Sequence, residues 1–368
     1  MKIAFVLSFI PNPRMNRRID LLKKSNNISL IYWNRTLEEH TIVHEDIKTY
    51  EIKIKSNFGS PLKRLSQTRD FSRLAYSYLE DLKPDIIYVQ GLDMLSIACS
   101  YKKRNNNVNI IYEIADLNTL IIDNQKSIIK KVVRSILVKQ EKKLIKKVSR
   151  LVITSEKFYD TYYNKLITKD KVIYIPNIPD LSNFKDFKKQ VNDKFTVGFI
   201  GSVRYEKQLK MLIDAAGICN INVFIAGSSN KDEIKEYCKD KSNIFYFGPY
   251  DYKTQVSSLY SRVDAIYSVY DAGMTNVSVA LPNRLYEGIY CELPIIASLN
   301  TYLGEIVEDL GVGVCINHLE LNSLIDGLNR LANDKDYYNS LVSNCIKNKD
   351  LINPEMYNKN LIDFINKL

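Results

Sequence analysis

Long apolar runs are missing from this 368-residue chain. None approaches the roughly 18 residues of a membrane-spanning helix, so no span is expected. The start, "MKIAFVLSFIPNPR", has the lysine and apolar stretch of a signal peptide. It lacks a small-x-small cleavage site and stops at "PNPR", so a buried first strand is expected instead. Glycine and proline are scarce, at 13 and 10 residues, which excludes long low-complexity linkers, and no internal repeat is visible. The three histidines, His40, His44 and His318, form no metal-ligand pattern. His40 and His44 are four apart but lie in the polar stretch "EEHTIVHED", where no metal site is expected. The six cysteines, at 99, 219, 238, 291, 315 and 345, contain no CxxC pair. They are expected to be reduced, buried thiols of a cytosolic protein.

What is present is a globular composition, 45% hydrophobic and 26% charged, on a chain long enough for two domains. The net charge of +10 is unevenly spread: residues 1–200 carry +15 and residues 201–368 carry −5. A basic half joined to an acidic half points to one half meeting an anionic partner. Nucleic acid is not expected, because no RNP motif, helix-turn-helix or zinc knuckle occurs and the basic residues are not interleaved with aromatics.

Apolar runs bounded by turn signals predict buried parallel strands at 3–9, 28–33, 85–90, 108–114, 150–155 and 171–176. Helical patterns such as "MNRRIDLLKK" and "RDFSRLAYSYLEDL" separate them. The rhythm restarts at 195–202, 221–228, 243–249, 264–270, 293–298 and 311–316. Between the two series lies the polar stretch "NIPDLSNFKDFKKQVNDK". The expected fold class is α/β, with two doubly wound Rossmann-like domains facing a central crevice. The expected divisions are 1–180, a linker at 181–194, 195–350, and a C-terminal helix at 351–368 that can return to the first domain.

In "FTVGFIGSVRYEKQLKMLIDAAG" an apolar strand ends at Gly201 and a helix follows. Free N–H groups at a helix start attract phosphate, and Arg204 and Lys207 add charge there. A diphosphate cradle and a pair of solvated charges both fit these residues. Neither a Walker loop nor a GxGxxG fingerprint is present. In "ALPNRLYEGIYCELPIIASL", Glu287 can accept hydrogen bonds from ribose hydroxyls or be an exposed helix acid, with Asn283 and Arg284 flanking the helix start.

"VALPNRLYEGIYCELPIIAS" resembles the nucleotide-sugar motif of family-4 glycosyltransferases with the GT-B fold. "GFIGSVRYEKQLKMLIDA" resembles the family's phosphate-binding segment, "IPNIPDLSNF" its interdomain turn, and "PNPRMNRRIDLLKKSNNISLIYW" and "YEIADL" first-domain segments of one branch. The resemblance implies that Glu287 holds the ribose and that Lys207 binds phosphate. Ser202 stands where the family usually has arginine, and Arg204 is expected to reach the diphosphate instead. Tyr250, Asn283, Leu285, Gly273, Met274 and Thr275 complete the expected donor-binding set with Ser202 and Glu287. The expected catalytic set is Arg204, Lys207 and Asp116.

The chain also departs from that pattern. The first motif glutamate is Val279, the glycine before the motif proline is Glu292, and Ala115 replaces a histidine frequent in related enzymes. Asp271 or the loop "DAGMTN" is a candidate substitute at the sugar; Glu113 and Asp116 are the polar candidates near Ala115. Arg14 and Asn12, after the first strand, are candidate acceptor or diphosphate contacts. "DKD" at 334–336 imitates a metal-binding acid pair but is discounted by its place near the C-terminus.

The stretch 127–150 holds nine Lys or Arg and one acid. Its apolar positions 129, 133, 136, 137, 144, 148 and 151 are expected to face the core, and its basic face an anionic membrane surface. The resemblance implies a metal-independent retaining transferase without a cofactor, using a nucleotide sugar, most readily UDP-linked. Its acceptor would be a saccharide or a polyprenyl-linked saccharide of bacterial cell-surface polysaccharide synthesis. The expected location is cytoplasmic, peripheral on the membrane's cytoplasmic face. A non-catalytic partner subunit and a sugar-nucleotide epimerase are the competing readings.

Overall fold

Each predicted apolar run becomes a strand, because residues buried on both faces of a parallel sheet can be continuously apolar. The first sheet comprises β1 (Lys2–Leu7), β2 (Asn27–Asn34), β3 (Lys48–Lys53), β4 (Ile86–Gln90), β5 (Asn109–Ile114), β6 (Arg150–Ile153) and β7 (Val172–Tyr174). Its strands are parallel, in the order β3-β2-β1-β4-β5-β6-β7. The second comprises β8 (Thr196–Ile200), β9 (Asn222–Ala226), β10 (Ile244–Gly248), β11 (Ala265–Ser268), β12 (Ile295–Ser298) and β13 (Gly313–Ile316). These too are parallel, in the order β10-β9-β8-β11-β12-β13. Both orders reverse direction beside the first strand of the sheet, the doubly wound arrangement.

The computed structural model describes residues 1–41, 43–56, 64–123, 127–229 and 233–368. Two compact units emerge: Met1–Pro176 with Glu355–Leu368, and Asn177–Pro354. No helix among the described residues is long and apolar enough to cross a membrane. All six cysteines are free thiols, four of them buried.

In the first unit, Leu361 and Ile365 of the C-terminal helix Pro354–Ile365 enter the same core as Phe5, Leu30 and Tyr88. Strand β3 was not among the sequence expectations. Its "KTYEIK" sits at the sheet edge and buries only Ile52 fully, so it carries no apolar run. The helix Ile128–Ile145 departs from expectation in another way. Its sole acid, Glu141, points inward and accepts hydrogen bonds from Tyr162 (2.9 Å) and Tyr163 (3.0 Å). Ile145 is buried beside it in sequence register. On the opposite face, Ile128, Ile129, Val132 and Ile136 are 56–78% exposed. The apolar stripe is therefore split: positions 148 and 151 pack inward while 129 and 136 face outward.

Arg14 and Arg18 converge on buried Glu113, with N–O distances of 2.8 and 3.3 Å, and Tyr88 donates to the same carboxylate. Asn12 caps the helix Pro13–Lys23 by accepting from the Met15 amide. Asp334 of "DKD" likewise caps the helix Lys335–Lys347.

In the second unit, the segment 181–194 is tied down locally. Phe184 packs edge-on against Tyr260, and Asp264 receives both Lys189 and Asn192. Glu292, at the family's glycine position, has φ of 58° and pairs with Lys349 at 2.5 Å. Left-handed backbone costs a non-glycine residue about 1 kcal/mol or more, while a half-exposed ion pair returns at most about 1 kcal/mol. Glu292→Gly is expected to hold or raise the urea midpoint, and Glu292→Ala to lower it, since alanine keeps the strain and loses the pair. A fall with glycine as large as that with alanine would contradict this.

Candidate nucleotide-sugar site

The site grows from the carboxyl ends of β8, β10, β11 and β13. Strand β8 ends at Ile200, and Gly201 follows with φ of 137°. A Cβ there would lie 2.6 Å from Arg284 Nη2. Gly227, after β9, has φ of 154°, and a Cβ on it would lie 1.9 Å from the Gly201 carbonyl oxygen. Only glycine permits both the backbone angle and the approach. The chain can then turn into the helix Glu206–Ile218. Its N-cap, Tyr205, supplies no side-chain capping bond, so the first-turn amides suit an anion. Ser202, Arg204 and Lys207 are exposed around that helix start.

Arg284 lies beneath this turn, only 7% exposed. Its Nε donates to the Ile200 carbonyl at 2.7 Å, and its Nη1 donates to the Tyr267 carbonyl at 3.3 Å and to Tyr270 Oη at 3.0 Å. The guanidinium also stacks 4.1 Å from the Phe199 ring centre. Read from sequence as a residue flanking a helix start, it is a cross-brace between the ends of β8 and β11. Its cue was a cation inside a segment that is otherwise buried. The Tyr270 ring meets Tyr205 edge-on, with centroids 5.1 Å apart, which joins the loop after β11 to the loop after β8.

Glu287, on the helix Asn283–Tyr290, is 4% exposed and not an exposed helix acid. Tyr252 Oη donates to its Oε1 at 2.6 Å, and Tyr260 Oη donates to its Oε2. Burial pushes its carboxyl above the ordinary range, against the two phenol donors and the nearby Arg284 charge, which pull it down. Each carboxylate oxygen has two acceptor positions, so one phenol apiece leaves room for a further hydroxyl. Tyr250 is pushed up to about 12, first by burial and then by the Glu287 charge.

The other expected residues take varied places. Asn283 accepts a hydrogen bond from Asn177 at 3.1 Å. Leu285 is a core side chain, so only its backbone is near the helix start. Gly273 and Met274 are exposed and Thr275 half-buried, in the loop and short helix after β11. Val279 is buried at the end of that helix. Asp116 belongs to the first unit, exposed after β5. Thus Ser202, Arg204, Lys207, Tyr250, Gly273, Met274, Thr275 and Asn283 follow the carboxyl ends of β8, β10 and β11 in the second unit, with Glu287 one turn into the helix Asn283–Tyr290, and Asp116 lies in the first unit. His318, in the loop after β13, lies 3.4 Å from Asp271. No cluster of His, Cys, Asp or Glu among the described residues could hold a metal ion.

Two doubly wound parallel-sheet units with these topologies define the GT-B fold. Residues 180–348 match the family model described as "Glycosyl transferases group 1". The chain has the GT-B fold, and the family match over 180–348 bears out the family-4 resemblance for the second unit. A sucrose-phosphate synthase from Thermosynechococcus elongatus is similar over 100% of this chain and 98% of its own, at TM-score 0.75 and 13% identity. HepE from Anabaena, in complex with UDP, covers 100% of both chains at TM-score 0.72 and 15% identity. WaaG, a glycosyltransferase involved in lipopolysaccharide biosynthesis, covers 99% of both at TM-score 0.66 and 13% identity. No curated protein sequence matches the chain.

Arg284→Lys keeps the charge but loses the planar fork that reaches two carbonyls and a phenol. The expected loss is about 2 kcal/mol or more in urea unfolding. A midpoint unchanged from wild type would contradict the bracing role.

Proposed function

We propose that this protein is a retaining glycosyltransferase that moves a hexose or N-acetylhexosamine from a UDP-linked donor to a saccharide acceptor. The acceptor is carried on a polyprenyl lipid, in bacterial cell-surface polysaccharide synthesis. The observation that carries the reading is the family match over 180–348 on a unit whose glycine turn, uncapped helix and Glu287 share one sheet edge. The UDP in the HepE structure supports the choice of nucleotide.

In this reading Glu287 accepts the ribose hydroxyls, with Tyr250, Asn283 and the backbone at Leu285 around the nucleoside. Ser202 and the first-turn amides of the helix Glu206–Ile218 hold the diphosphate. The bond between the sugar C1 and the diphosphate oxygen breaks, and the acceptor hydroxyl bonds C1 from the same face. Its proton passes to the departing phosphate oxygen. Arg204 and Lys207 offset the charge that builds on that oxygen, so turnover needs no metal. Gly273, Met274 and Thr275 border the sugar, and Asp116 serves the acceptor.

Docking on a membrane's cytoplasmic face is the second part of the proposal. Ile128, Ile129, Val132 and Ile136 share one exposed helix face, with Lys139 and Lys143 continuing it one and two turns on at 100° per residue. Exposed aliphatics bordered by lysines match an anionic lipid surface: the apolar groups enter the headgroup boundary and the lysines meet the charge.

A non-catalytic partner subunit is the second reading, and buried Val279 favours it, since valine cannot hold a sugar hydroxyl.

A melting-temperature panel with UDP, GDP, CDP, ADP and dTDP tests the donor. A ligand at about 100 times its dissociation constant adds about 2.7 kcal/mol, and the expected result is a selective rise with UDP. No rise with any nucleotide would favour the partner subunit. Lys207→Ala is expected to lower turnover about 100-fold or more without changing the melting temperature, and EDTA to leave turnover unchanged. Paired Ile129→Asp and Val132→Asp changes are expected to abolish sedimentation with phosphatidylglycerol vesicles. Equal sedimentation of this variant and wild type would contradict docking through the helix.

A further inference from the structure

Asp271 follows Tyr270 directly, at the point where the loops after β8 and β11 meet. Its Oδ1 accepts the Gly273 amide at 3.0 Å and faces His318 Nε2 at 3.4 Å. Among the described residues its Oδ2 accepts no hydrogen bond, and its side chain is 47% exposed. One oxygen is therefore fixed and the other is presented outward. His318 is 13% exposed and sits in the loop after β13. That loop is itself built: the Asn317 amide bonds Ser323, Asn317 Oδ1 accepts the Leu319 amide, and Asn317 Nδ2 reaches Glu320. The backbone on either side of His318 is thus held independently of the carboxylate that its ring meets.

A carboxylate with one fixed oxygen is a directed hydroxyl acceptor, and a hydrogen bond to a charged group is stronger than one between neutral groups. It sits one residue from the ring that touches Tyr205 and the phenol that takes Arg284. A ligand whose anionic end lies at the Gly201 turn would bring its neutral, hydroxyl-bearing end to such an acid. We propose that Asp271, positioned by His318, binds hydroxyls of the transferred sugar and selects a neutral sugar over a uronic acid. The inference rests on the transferase reading above and deepens it. A fixed negative charge that welcomes hydroxyl donors opposes a second carboxylate. His318 acts through Asp271 by holding Oδ1, which frees Oδ2.

The test compares binding of UDP, UDP-glucose, UDP-N-acetylglucosamine and UDP-glucuronate to wild type, Asp271→Asn, His318→Phe and His318→Gln. In wild type a neutral UDP-sugar binds more tightly than UDP-glucuronate. Asp271→Asn is expected to leave UDP affinity within about twofold while weakening the preferred neutral UDP-sugar about 10- to 100-fold. It should also narrow the gap to UDP-glucuronate. His318→Phe is expected to give a smaller loss of the same pattern, and His318→Gln, which retains an N–H donor, to recover part of it. A merely structural role would weaken UDP and UDP-sugars alike, and that result would overturn the inference. So would an Asp271→Asn variant that ranks the four ligands as wild type does. If wild type binds none of the four, the UDP-linked transferase reading fails and the inference with it. If wild type binds UDP but the variants leave sugar preference unchanged, the inference alone fails.

Discussion

A guanidinium without a carboxylate partner is expensive to bury, and the second unit is arranged around one. Arg284 is buried, and among the described residues no carboxylate lies within ion-pairing distance of it. Its charge is met by the Ile200 and Tyr267 carbonyls, the Tyr270 phenol and the Phe199 ring. Losing any one would leave a poorly solvated cation, a cost of several kcal/mol. The ends of β8 and β11 are therefore locked, Gly201 must remain a glycine, and Tyr270 holds the orientation in which it meets Tyr205. The same charge gives the Gly201 turn a positive background. The brace and the positive background come from one side chain.

Tyrosine does for the buried acids what carbonyls do for Arg284. Glu113 takes Tyr88, Glu141 takes Tyr162 and Tyr163, and Glu287 takes Tyr252 and Tyr260. A phenol satisfies a carboxylate oxygen without adding a charge, and with 25 tyrosines the chain has them to use. Burial still leaves Glu141 and Glu287 raised above 4.5. The sign follows: their share of stability is complete below about pH 4.5 and falls as pH rises through the folded-state value.

The sequence made most strands legible because a parallel strand buried on both faces must be apolar throughout. Strand β3 escaped because an edge strand need not be. The helix Ile128–Ile145 was legible as helix, but not in its orientation: an apolar position at helical spacing reads alike whether it meets the core or the solvent, and only packing of Glu141 and Ile145 decides which. Glu287 was singled out only by the family resemblance of its segment, and its burial was not legible. Its two phenol partners were not, nor was Arg284, whose bond to Ile200 spans 84 residues. His318 was illegible for the same reason. Strand order alone brings the end of β13 close to the loop after β11, and the interval between them in sequence carries no trace of it.

The central claim is that the carboxyl edge of the second sheet, braced by Arg284, binds a nucleoside diphosphate. Hydrogen exchange with and without UDP tests it most directly, because it reports where the ligand orders the backbone. Slowed exchange confined to peptides covering 201–209, 271–276 and 283–288 is the predicted result. Unchanged exchange in these three segments at saturating UDP, or protection concentrated elsewhere in the chain, would contradict it.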